Sequence, residues 1–158
     1  MKKFLILAAA LAAGPAMAHE PMDWNGSIIQ ILLDREETGG EMGIFTTRFS
    51  APGGPPRHVH EDAGEAFVVL EGSATVLVDG KTMVLEEGQA GFAPKGSDLT
   101  FRIRGENGGK LLVIVAPGGF EGFFAATKHL KLPDEIEKLN EISAEYGQIF
   151  TGPPLEAE

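Results

Sequence analysis

From Trp24 to Val115 short apolar runs alternate with clusters of Gly, Pro, Asp and Asn. Ile28–Leu33 is a mostly apolar run of the kind a buried strand shows, and Ile44–Phe49 is a second strand. Ala51-Pro52-Gly53-Gly54-Pro55-Pro56 is a loop, because it suits neither a helix interior nor a central strand. Arg57–His60 resumes an extended course. Ala66–Leu70, Ala74–Val78 and Thr82–Leu85 follow, the last two joined by Asp79-Gly80, a strong hairpin signal. Gln89–Ala93, Leu99–Arg104 and Leu111–Val115 complete the series. Phe67, Val69, Val76 and Val78, with Phe92, Phe101, Leu111 and Val113, are the expected core or pocket wall. Strands this short, at spacings of about 8–12 residues with turn signals between, predict an all-β sandwich or barrel.

After Val115 the period changes. Gly122–His129 predicts a short helix. Asp134–Tyr146 predicts a longer one, with Pro133 and Asp134 at its start, Ile136, Leu139, Ile142 and Tyr146 on one stripe, and Gly147 at its stop. The tail Thr151–Glu158 is expected to be mobile. The organisation is a β-barrel over residues 24–120 and a C-terminal extension over 121–158 carrying one or two helices. No linker to a second domain is visible.

Residues 1–18 stand apart. Lys2-Lys3 precedes the uncharged run Phe4–Ala13, Gly14-Pro15 breaks it, and Ala16-Met17-Ala18 is a small-x-small cleavage site. This is the pattern of a secretory signal peptide, and its apolar run is too short to span a bilayer. It predicts export, most simply to a bacterial periplasm, with no membrane span in the mature chain. The 158 residues are 43% apolar and 23% charged, which excludes wholesale disorder. The net charge of −10 opposes a phosphate backbone, so nucleic acid is not an expected partner. The chain has no cysteine, which excludes thiol catalysis, disulfides and thiolate metal sites.

The candidate chemistry starts at His58-Val59-His60. Alternate side chains of a strand share a face, so the two imidazoles point together. Such a pair is a natural start for a metal site. Glu65 follows after four intervening residues, at the entry to the next strand. Two His and a carboxylate on one face make a facial triad with open positions. On spacing alone, a solvated turn acid beside Glu61 and Asp62 remains the alternative for Glu65. His129 is expected at a helix C-terminus, where the dipole favours an imidazole. His19 is expected as a disordered end, and Trp24 as packing with a hydrogen-bonded indole. Gly118–Phe124 suits a cover for the barrel mouth, core packing or a dimer contact.

Gly53-Gly54-Pro55-Pro56-Arg57-His58-Val59-His60, then Glu65 and Gly72, resembles the first cupin motif, with the leading glycine one residue closer to His58 than usual. Gly88-Gln89-Ala90-Gly91-Phe92-Ala93-Pro94-Lys95-Gly96 resembles the start of the second. Glu37–Gly40, Pro117–Phe124, Tyr146-Gly147 and Gly152–Leu155 are similar to the quercetin-dioxygenase-like bacterial cupins. The resemblance implies a double-stranded β-helix, a jelly-roll-like barrel, with a site inside. It also implies one divalent transition metal (Fe, Mn, Ni, Cu or Zn) and dioxygenase-like oxidoreductase chemistry on a small phenolic or flavonol-like compound. The family's usual ligands are three His and one Glu. Here the second-motif His position is Leu99, and the later Asn position is Ile103. The implied ligands are therefore His58, His60 and Glu65, with Glu65 also a proton acceptor. Asp98, next to Leu99, faces the other way in a regular strand. Two readings stay open: a metal-dependent enzyme, or a non-catalytic small-molecule-binding cupin with an incomplete metal site. A homodimer is expected from the family, through the apolar N-terminal strand and the Phe-rich segment.

Overall fold

Two antiparallel sheets carry the apolar alternation and enclose the core. The computed structural model describes residues 19–156, so the expected signal peptide lies outside the described residues. The strands are β1 Met22–Trp24, β2 Ser27–Leu33, β3 Gly43–Phe49, β4 Arg57–His60, β5 Gly64–Glu71, β6 Ser73–Val78, β7 Lys81–Glu86, β8 Ala90–Ala93, β9 Asp98–Ile103 and β10 Gly109–Ala116. Two helices, α1 Gly122–Thr127 and α2 Ile136–Glu145, and a last strand, β11 Gln148–Gly152, complete the chain. One sheet has the order β1-β2-β3-β10-β5-β8 and the other β11-β4-β9-β6-β7. Phe67, Val69 and Val113 from the first and Val76, Phe101 and Ile103 from the second are buried together. No helix among the described residues is long and apolar enough to cross a membrane.

The Asp79-Gly80 hairpin forms as expected, with both residues at positive φ between paired Val78 and Lys81. Asn25-Gly26 makes a second turn of this kind between paired Trp24 and Ser27, and so adds β1 to the sheet edge. Trp24 packs edge-on against Phe124, and its indole N–H donates to Thr127 Oγ1 at 2.9 Å.

Three expectations are corrected. The tail is not mobile where it was expected to begin: Thr151 and Gly152 belong to β11, which pairs with β4, and Arg102 donates to the Leu155 carbonyl at 3.1 Å. Phe92 is 60% exposed rather than in the wall, because it pairs with Ala66, which is not on the inward-facing row of Glu65, Phe67 and Val69. His19 is tied down: its N–H donates to the Ile31 carbonyl at 3.0 Å, and its Nε2 lies 3.4 Å from Asp34. Of the alternatives open for the Phe-rich segment, the structure shows core packing, with Phe120, Phe123 and Phe124 all buried. His129 lies on the surface two residues after α1 ends.

Candidate functional site

β4 lies between β11 and β9, and its alternation turns His58 and His60 inward, 4% and 2% exposed. The Pro/Gly loop before it is pressed onto β9. A Cβ on Gly54 would lie 1.8 Å from the Phe101 carbonyl oxygen, and the Thr100 hydroxyl donates to the Pro55 carbonyl at 2.7 Å. This fixes the Pro56 carbonyl, to which His58 Nδ1 donates at 2.8 Å. Nε2 of His58 is thereby left as the free, lone-pair nitrogen, and it points at Glu65 Oε2, 3.8 Å away. Glu65 is the second residue of β5, on the facing sheet, and is 4% exposed beside fully buried Ala93. It is not the solvated turn acid that spacing alone allowed.

His60 Nε2 lies 3.2 Å from Glu65 Oε2, yet neither atom has a hydrogen-bond partner among the described residues. Burial opposes the charged form of Glu65, but the adjacent His60 and His58 outweigh it and hold the carboxyl at about 2. Buried polar atoms without partners are costly and rare, and two of them, His60 Nε2 and Glu65 Oε2, meeting at one point imply a bound group. The ligand atoms of His58, His60 and Glu65 all lie within 4.8 Å of one another. Two imidazole nitrogens and one carboxylate oxygen at such separations suit a divalent transition metal with ligand distances of roughly 2.0–2.2 Å. The residues therefore fit the metal that the resemblance implies.

Leu99 lies directly opposite His58 in the β4–β9 pair and is 1% exposed. Ile103 is buried further along the same face. Asp98 faces away: it forms an ion pair with Arg57 at 3.7 Å and accepts a hydrogen bond from Thr151. The site thus has an alkyl side chain beside His58 and no carboxylate from β9.

His58 and Glu65 open into a pocket walled by Phe45, Phe49, Phe101, Phe123, Phe124 and Phe150. Among the described residues that line it there is no Lys or Arg. Phe120 covers His60 edge-on, with ring centroids 4.4 Å apart. Its position is set by Glu121, 2% exposed, whose carboxylate accepts the Arg35 N–H at 2.7 Å and the Gly119 N–H at 2.8 Å. Sequence reasoning did not single out Gln148, Thr47, Phe150 or Glu121. For Phe150, the Ile149-Phe150 run after Gly147 was a weak strand signal. Glu121 gave none, since its partner Arg35 is 86 residues away.

Residues 47–115 match the family model described as a cupin domain. The matched span contains His58, His60, Glu65 and Leu99. The fold is the cupin β-sandwich, or jelly roll, with C-terminal helices. An RmlC-like cupin from Shewanella frigidimarina is 26% identical, with a TM-score of 0.54 over 63% of this chain and 84% of that one. KdgF from a Halomonas species is 19% identical, with a TM-score of 0.56 over 64% and 88%. A predicted oxalate decarboxylase from Thermotoga maritima is 17% identical, with a TM-score of 0.54 over 62% and 90%. The last two show the fold alone. A search of curated proteins found no match.

Proposed function

We propose that this protein is an exported, metal-dependent cupin that acts on a small oxygenated compound of phenolic type in a dioxygenase-like reaction. The observation that carries the metal reading is the convergence of His60 Nε2 and Glu65 Oε2, both buried and unpartnered, with the free Nε2 of His58. A divalent metal there supplies Lewis-acid or redox chemistry. The chain's own contribution is preorganisation. Pro56 fixes the His58 ring, and Phe120 keeps water from His60. Glu65 stays ionised at neutral pH, which suits a ligand; a carboxylate at about 2 is a weak base and would accept protons only in concert with the metal. The aromatic walls offer stacking and apolar burial to a flat ring, and without Lys or Arg they select by shape rather than by opposite charge.

One observation favours the second reading, a non-catalytic binding module. Leu99 fills the place beside His58 where the resemblance puts a fourth ligand, and it is buried there. Metal analysis of protein purified without an affinity tag, followed by oxygen uptake with a panel of phenols, separates the readings. One bound metal per chain with phenol-dependent uptake supports the enzyme. Bound phenol without uptake supports the module. Absence of both overturns the proposal.

A further inference from the structure

Gln148 is the first residue of β11 and stands directly opposite His60 in the β4–β11 pair. Paired residues on adjacent strands share a face, with Cβ atoms roughly 5 Å apart. Gln148 is 4% exposed and lines the same pocket as His58 and Glu65. Its main-chain carbonyl accepts from the Ser143 hydroxyl at 2.9 Å, which anchors the strand start to α2. Its side-chain amide has no hydrogen-bond partner among the described residues. Its amide atoms are not among the sealed, unpartnered ones, so they face the free space of the pocket and are available to a guest there.

The rest of the wall near it is apolar. Phe150 lies two residues on along β11, opposite His58, and Phe120 lies over His60. We propose that Gln148 is a specificity-determining residue whose amide N–H2 donates to an uncharged carbonyl or hydroxyl oxygen on an aryl ligand, holding that oxygen beside the His60–Glu65 pair. This rests on the pocket being a ligand site, as in the proposed function, and it deepens that reading by naming the ligand's chemistry. An amide suits an uncharged oxygen because it both donates and accepts without bringing a charge into a site that already holds Glu65.

The test uses two probes of nearly equal shape, acetophenone and α-methylstyrene, which differ by an oxygen in place of a CH2 group. Their binding to the full chain is followed by ligand-observed NMR titration, with and without zinc. The wild type should prefer acetophenone by about tenfold, the worth of one hydrogen bond. Gln148→Met should lose that preference while binding α-methylstyrene as before. Gln148→Leu likewise has no donor, and should lose the preference too. A merely structural role would weaken both probes together. Zinc affinity is measured on the same samples, and Gln148→Met should match the wild type. If wild type shows no preference for acetophenone, or the preference survives in both variants, the proposal is overturned. It is also overturned if Gln148→Met loses zinc, since Gln148 would then be a metal ligand. Failure of wild type to take up zinc overturns the metal reading alone, because the probe comparison is also made without metal.

Discussion

Leu99 stands directly across from His58 in the β4–β9 pair, and both side chains are buried on the inner face of the same sheet. An alkyl group therefore occupies the inner-face position beside His58. Leu99→His should supply a fourth ligand. Zinc or manganese binding, followed by calorimetry, should tighten by at least about tenfold. Unchanged affinity would mean that a side chain at position 99 does not reach the ion.

Glu121 should matter to stability more than any acid of the surface. Its two oxygens each take one main-chain N–H, from Arg35 and Gly119, and thereby place Phe120 over His60. Glu121→Leu leaves both N–H groups without partners and should cost roughly 2–4 kcal/mol. Urea unfolding checks this, and a loss under 1 kcal/mol, on the order of a surface substitution, would show that the segment is held by its rings alone.

Acid should weaken the metal-free fold through Glu65. Its carboxyl is held at about 2 in the folded chain, against an ordinary value of 4.5. A lowered folded value means that the contribution is complete above the ordinary value and disappears as pH falls through the folded one. The sign follows from linkage between proton binding and folding. Unfolding free energies of metal-free wild type and Glu65→Gln, measured between pH 7 and 2, should differ in slope below pH 4.5. Identical slopes would remove Glu65 as the group responsible.

Much of this fold was legible because its strands alternate cleanly, as in Phe67–Val69 and Val76–Val78, and the spacing His58–His60 gave a shared face directly. β11 was not legible for a physical reason. Its first inward position holds polar Gln148, while apolar Ile149 points out at 40% exposure, so the alternation is masked although Phe150 faces the pocket. β1 carried a readable signal in Asn25-Gly26, the same turn chemistry that identified Asp79-Gly80. Phe92 misled by parity: it lies one residue before Ala93, which is the member of β8 that faces the core. The placement of Phe120 over His60 depends on Glu121 reaching the Arg35 main chain, a contact between distant segments that no local pattern encodes.

Export is testable from the first residue of the mature chain. Ala16-Met17-Ala18 after the apolar run predicts cleavage before His19. Intact-mass analysis of protein from the periplasmic fraction should give a chain beginning at His19. A chain retaining Met1 in that fraction would contradict it.

The most direct test of the metal centre is a zinc titration of tag-free protein, wild type against His60→Ala, at neutral and acidic pH. His58, His60 and Glu65 are proposed to hold one ion together, and protons compete with metal for the same atoms. Wild type should bind one equivalent of zinc at pH 7, bind it more weakly as the solution is acidified, and lose binding in His60→Ala. Zinc uptake that is absent in wild type, or that survives unchanged in His60→Ala, would contradict the assignment of this site.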